Sequence, residues 1–196
     1  MKSLPELIIE RSLALPEGDV LAPKEFLGMG SRFAVDQAFS RLTKAGKLQR
    51  ICRGLYIRPI SNSGSERSPA PETVVQALAR KSNETIVPNG AHAANVLGLT
   101  QHTPLQQVFL TNGQSRTLKI GQAKIQLQHA PHWMLATSTT GDAARAFAWL
   151  GKQQATTTAR NLRQRLPEQQ WQQLLASCIA LPSWIAAALG NEALND

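Results

Sequence analysis

The sequence predicts an α+β chain in two parts, and three observations predict it. Over residues 31–58 a helical apolar repeat gives way, after a glycine, to two short runs of branched and aromatic residues. That stretch carries seven cations, Arg32, Arg41, Lys44, Lys47, Arg50, Arg53 and Arg58, against the single acid Asp36, and so supplies +6 of the chain's net +8. Beyond a segment dense in Pro, Ser and Gly, strand-like runs precede a succession of helical ones, the order of an α+β domain.

The elements follow in chain order. Ser3 or Leu4 caps a first helix with Pro5 at its first position and Leu4, Leu7, Ile8, Arg11 and Leu15 on one face, ending near Pro16. Val20 to Ala22 is short and extended, Pro23 starts a brief second helix through Leu27, and Gly28 and Gly30 supply a turn. Ser31 is an N-cap, and Val35, Ala38, Phe39 and Leu42 follow at i, i+3, i+4 and i+7, a stripe that must face a core. The opposite face presents Phe33, Gln37, Ser40 and Lys44, flanked by Asp36 and Arg41. Gly46 ends the helix, and the strands Leu48 to Ile51 and Leu55 to Ile57 are joined through Cys52, Arg53 and Gly54. This order predicts a winged helix-turn-helix over residues 1–60.

Residues 59–71, PISNSGSERSPAP, read as a linker or meandering loop, with the boundary at 61–71 and a second domain at 72–196. There the pattern predicts a helix from Glu72 to Lys81, a strand from Glu84 to Val87, a turn at Asn89-Gly90 and a small buried helix from Ala91 to Leu97. After a loop from Leu99 to Pro104 come three antiparallel strands, Gln107 to Thr111, Thr117 to Ile120 and Ala123 to His129. Helices from Thr140 to Gly151, Thr156 to Arg165 and Pro167 to Ala180, and a last one from Pro182, cover this small sheet.

An excess of positive charge favours an anionic partner. Arg32, Lys44, Lys47, Arg50, Arg53 and Arg58 are candidates to neutralise phosphates, which gives affinity without sequence information. Phe33, Gln37, Ser40 and Arg41 are candidates to read base edges or a thymine methyl in the major groove of double-stranded DNA. For Phe33, packing against the second helix is equally open, and Tyr56 is expected in the hairpin's own core. The plainer account of the basic run is a solvated helix face.

PNGAHAAN, residues 88–95, is either a tight helix packed on the sheet or a partner surface formed by Asn89, His92, Asn95 and Gln101. Cys52 and Cys178 stand far apart, and of His92, His102, His129 and His132 only the last two are near neighbours, so neither a disulfide framework nor a metal site is expected. Walker, GxGxxG and GxSxG motifs are lacking, and we expect no enzyme and no cofactor. Leu7-Ile8-Ile9 is cut short by Glu10 and Arg11, and the most apolar run contains Pro182, which predicts a soluble cytoplasmic protein with no membrane partner.

Two segments together carry a resemblance. AFSRLTKAGKLQRICRGLYIRP resembles the N-terminal winged helix of AbiEi-like antitoxins of type IV, abortive-infection toxin–antitoxin systems. IVPNGAHAANVLGLTQHTP and VFLTNGQSRTLKIG resemble the second domain of a short two-domain group in that superfamily. The resemblance implies an antitoxin that represses its own operon by binding promoter repeats, as a monomer or weak dimer on DNA. It implies a functional partner, a nucleotidyltransferase-like toxin, opposed without a stable complex. By position, the exposed face of helix 31–46 and Arg50, Arg53 and Arg58 would contact DNA.

Overall fold

A computed structural model of the chain describes residues 2–62, 65–101 and 107–194. It is mixed α+β, with eight α-helices and small antiparallel sheets among the described residues. Two compact units divide it: Met1–Glu84 with Arg116–Gln126, and Thr85–Ser115 with Leu127–Asp196.

In the first unit α1 (Leu4–Ala14) starts at Ser3, whose backbone N–H donates to Glu6 Oε2 at 2.7 Å. β1 (Val20–Leu21) leads into a 3-10 turn (Pro23–Phe26), where the Ala22 N–H donates to Glu25 Oε1 at 2.6 Å. α2 (Arg32–Lys44) begins where expected, the Ala34 N–H donating to Ser31 Oγ at 3.3 Å. The chain reverses at Gly46, whose φ of +73° suits a residue without Cβ. β2 (Gln49–Cys52) and β3 (Leu55–Ile57) then form a hairpin with Arg50 opposite Tyr56 and Cys52 opposite Leu55. A register shift between those two pairs carries β2 one residue past its expected end. β3 is the central strand, between β1 and β2.

Ile8, Leu21, Phe26, Val35, Phe39 and Leu48 share one core, in which the Phe26 and Phe39 rings meet edge to face at 5.5 Å. Successive strand residues point to opposite faces. Leu21 and Tyr56 turn toward this core, while their neighbours Val20 and Ile57 turn away from it and are nonetheless fully buried. The second face therefore needs its own cover. The helix α3 (Pro71–Ser82) neighbours β1, and a strand from later in the chain, β8 (Arg116–Ile120), neighbours β2. Both bring buried side chains, Val74, Val75 and Leu78 from α3 and Leu118 and Ile120 from β8. Lys81 Nζ ties α3 down through Glu25 at 2.8 Å and the Val20 carbonyl.

The compact units thus divide the chain elsewhere than at 61–71, because the small sheet is buried on both faces. Within the expected linker, β4 (Ile60–Asn62) pairs with β5 (Ser65–Arg67), Ile60 opposite Arg67, and Ile60 is buried.

In the second unit β6 (Ile86–Pro88) pairs antiparallel with β7 (Gln107–Thr111), Val87 opposite Leu110. The sheet has four strands where three were expected, in the order β6-β7-β9-β8, and the division between units passes through β9 (Ala123–His129). Asn89, expected in a turn, is instead the N-cap of α4 (Gly90–Val96), its Oδ1 accepting from the His92 N–H at 3.0 Å. α5 (Thr139–Leu150), α6 (Ala155–Arg165), α7 (Glu168–Ala176) and α8 (Ser183–Leu194) follow. Phe147, Leu162, Trp171, Leu174, Ile185 and Leu189 make their core.

The helix expected from Pro167 to Ala180 stops at Ala176 and finishes as a 3-10 turn, Ser177–Ala180. Ser177 Oγ donates to the Leu174 carbonyl at 2.7 Å, a local bond that competes with the helical ladder, and Pro182 bars continuation. Among the described residues no helix is long and apolar enough to cross a membrane.

Candidate functional site

α2 sorts its side chains by angle around the axis. Val35, Ala38, Phe39 and Leu42 are buried, and Arg32, Phe33, Asp36, Gln37, Ser40, Arg41 and Lys44 are exposed. With about 100° per residue, Phe33, Gln37, Ser40 and Lys44 stand outermost, Asp36 and Arg32 lean to one side, and Arg41 to the other. The β2–β3 hairpin flanks the Arg32 side. Between helix and hairpin lies a cleft of about 720 Å³, lined by Lys24, Arg32, Asp36, Ser40, Arg50 and Arg53, with Tyr56 and Gly54 at the hairpin wall.

The hairpin is positioned by packing. The Tyr56 ring, expected in the hairpin's own core, is half-buried with its centroid 4.7 Å from that of Phe39, and so joins the hairpin to the buried face of α2. Gly54 takes a φ of +74° at the turn, which leaves Arg53 exposed at the tip. Arg50 is exposed on β2, and its Nε donates to the Cys52 carbonyl at 3.2 Å.

Four cations and one carboxylate therefore line the cleft. Asp36 accepts from Arg32 Nε at 2.9 Å, an exposed pair of small energetic weight that still fixes the guanidinium over the cleft. Such a concave cationic wall suits a phosphate or other anionic group.

Not every expected cation belongs to it. Lys47 lines a separate apolar groove on the α1 side, with Ile9, Leu13 and Leu42. Arg58 is half-buried, and its Nε donates at 3.2 Å to the carbonyl of Ser12, one of the terminal carbonyls of α1 that lack a helical partner. Its primary contact is a helix cap. Lys24 is a cleft residue that the sequence reading did not single out; its signal was Pro23, which starts the turn that aims the following side chain.

Phe33 is 76% exposed and does not pack against the preceding turn, and Met29, before it, is 58% exposed. An apolar ring this open at the first turn of α2 is available to a ligand or partner.

A family described as "Family of unknown function (DUF6088)" matches residues 8–174. The chain belongs to this family. No curated protein and no solved structure matches it. The DUF6088 match takes in α2, the β2–β3 hairpin and α4, and stops before α8.

The second surface expected in this DUF6088 chain, Asn89, His92, Asn95 and Gln101, is reached less directly. Asn89 is occupied as the cap of α4, and Asn95 Nδ2 donates to the Thr100 carbonyl at 3.5 Å, while His92 and Gln101 are exposed. α4 packs on α5 rather than flat on the sheet. A Cβ at Gly90 would stand 2.3 Å from the Arg145 carbonyl oxygen and 2.6 Å from Trp149 Cβ, so only glycine admits this approach. Arg145 itself is buried, donating to the Met134 and Ala136 carbonyls at 2.7 Å and paired with Asp142.

His129 Nδ1 lies 3.0 Å from the Gly113 carbonyl, and His102 is outside the described residues. Among the described residues no three His, Cys, Asp or Glu side chains gather as metal ligands. Cys52 and Cys178 are free thiols, each pushed above the usual thiol range by burial.

Proposed function

We propose that the chain is a DNA-binding antitoxin and autorepressor, whose first unit is a winged helix with α2 as recognition helix and β2–β3 as wing. The observation that carries the DNA reading is the cation-lined cleft between α2 and the hairpin, beside an outward helix face bearing Gln37, Ser40 and Arg41. Phosphates would take Lys24, Arg32, Arg50 and Arg53, leaving Lys44 at the outer edge of the same helix. Gln37 and Arg41 have the chemistry to pair with adenine and guanine, and Phe33 to meet a thymine methyl. The antitoxin half of the proposal rests on the sequence resemblance alone.

The direct test is a gel shift with duplex DNA from upstream of the chain's own gene, at about 100 mM salt and micromolar protein. A retarded band that survives unlabelled competitor of unrelated sequence is the expected result; no band would overturn the reading. A neighbouring reading frame encoding a nucleotidyltransferase, whose toxicity the chain relieves on co-expression, tests the antitoxin half.

A second reading is a winged-helix module that binds protein. Phe33, Met29 and Leu27, at 76%, 58% and 42% exposed around the entry to α2, favour it. A stoichiometric partner that co-purifies, with DNA affinity no better than that of an unrelated basic protein, would select this reading.

A further inference from the structure

The latter half of the chain returns a pair of strands to the first unit. Residues 116–126, comprising β8 and the first part of β9, belong to that unit, and β8 neighbours β2. Gln49 holds the junction. Its Nε2 donates to the Lys119 carbonyl at 3.3 Å, and its Oε1 accepts from Ser68 Oγ at 2.7 Å. The turn closes on the same serine: Gly121 has a φ of +58°, and a Cβ there would stand 2.9 Å from Ser68 Oγ.

Alternation then separates anchor from surface. Leu118, Ile120 and Ile125 are buried, whereas Thr117, Lys119, Gln122 and Lys124 are exposed. Residues 116–126, RTLKIGQAKIQ, contain three cations and no acid. Arg116 is committed to Glu84 at 2.8 Å, but neither Lys119 nor Lys124 has a carboxylate partner among the described residues. Gln49, which grips Lys119, is the chain neighbour of Arg50, so the exposed cations of β2 and β8 start from adjoining strands of one unit.

We infer that the β8–β9 hairpin is a second arm of the nucleic-acid surface, with Lys119 and Lys124 holding backbone phosphates in addition to those held by Arg50 and Arg53. This rests on the DNA-binding reading above. Lysines on a short, well-seated hairpin suit that task, because phosphate contacts need charge and reach rather than a fixed hydrogen-bond pattern. Exposed Thr117 and Gln122 add neutral donors to the same face.

The test measures affinity for a short duplex of arbitrary sequence as a function of salt, since phosphate contacts are indifferent to sequence. Four proteins are compared: the unmodified chain, Lys119→Ala with Lys124→Ala, Lys119→Arg with Lys124→Arg, and Lys152→Ala with Arg160→Ala. The alanine pair at 119 and 124 is expected to lower affinity on the order of tenfold and flatten the log–log salt slope by about two units. The arginine pair should restore both, and the pair at 152 and 160, which removes the same charge from the second unit, should leave both unchanged. An unchanged slope for the 119/124 alanine pair, or an equal loss at 152/160, overturns the inference while DNA binding itself stands. If the unmodified chain does not bind duplex, the DNA-binding reading fails and the second arm fails with it.

Discussion

Arg53 and Arg58 are close in sequence and alike in charge, yet the structure gives them different work. Arg53 is exposed at the hairpin tip, while Arg58 caps the last turn of α1 through the Ser12 carbonyl. Arg53→Ala should weaken duplex binding across sequences and reduce the salt slope by about one unit, with thermal stability unchanged. Arg58→Ala should do the reverse: a loss of about 1–2 kcal/mol in urea unfolding, with the salt slope kept, because a half-buried charged donor is removed from a backbone acceptor. Gln37→Ala belongs to neither class and should relax preference at one base pair by about 1–3 kcal/mol, read in a panel of single-pair variants of the bound site. Equal behaviour of Arg53→Ala and Gln37→Ala would refute the division between phosphate and base contacts. Cys52 gives a pH-dependent check. Burial pushes its thiol up, and the charges of Arg116 and Arg50 offset this only in part. A raised value keeps the thiol protonated as pH climbs through the ordinary thiol range, so the reactive thiolate is scarcer in the folded chain than in the unfolded one. Alkylation of Cys52 at about pH 8.5 should accordingly run faster in denaturant than in native buffer, and equal rates would contradict its burial.

At the scale of elements, α4 and α5 meet where Gly90 lets two backbones approach. Gly90→Ala places a Cβ against the Arg145 carbonyl, backbone that cannot swing aside, and should destabilise the chain by about 1–3 kcal/mol in chemical unfolding. His92→Ala, on the exposed side of the same helix, should stay within about 0.5 kcal/mol of the unmodified chain. The contrast separates the packed face of the PNGAHAAN segment from its free face. How far such elements could be read beforehand depended on whether their cause was local. The stripe Val35, Ala38, Phe39 and Leu42, the cap Ser31 and the stop at Gly46 are all local, and α2 follows them closely. The hairpin at Gly54 was legible for the same reason. Asn89-Gly90 is ambiguous locally, since the pair that favours a turn also makes a good cap followed by a close-packing residue. The exposure of Phe33 was likewise undecidable, because it depends on where Leu27 and Met29 leave room rather than on the helix period. Lys47 and Arg58 share their charge with Arg50 and Arg53, and only the tertiary path of α1 draws them away from the cleft.

For the molecule as a whole, the division into units concentrates charge: the first carries 16 Lys and Arg against 9 Asp and Glu, the second 5 against 4. This contrast is sharper than a boundary at 61–71 implies, because Lys119 and Lys124 join the basic unit from a distant part of the chain. A boundary drawn on composition takes PISNSGSERSPAP for a free tether, since Pro, Ser and Gly report local stiffness and not what the next helix will cover. The two-sided burial of the β1-β3-β2 sheet is the physical reason the tether does not end the unit. Cutting the chain after residue 60 would keep the α1–α2 core of Ile8, Phe26, Val35 and Phe39 but strip α3 and β8 from the other face, exposing Val20, Ile51 and Ile57. Each such side chain loses roughly 1.5–3 kcal/mol of burial on exposure, and three of them together rival the whole stability of a small domain. The fragment 1–60 should therefore show a broad, non-cooperative thermal transition and bind a hydrophobic dye, while the full chain unfolds cooperatively and does not. A sharp cooperative transition in the fragment, with affinity for duplex DNA equal to that of the full chain, would show that the first sixty residues stand alone and that α3 and β8 are additions to a finished domain.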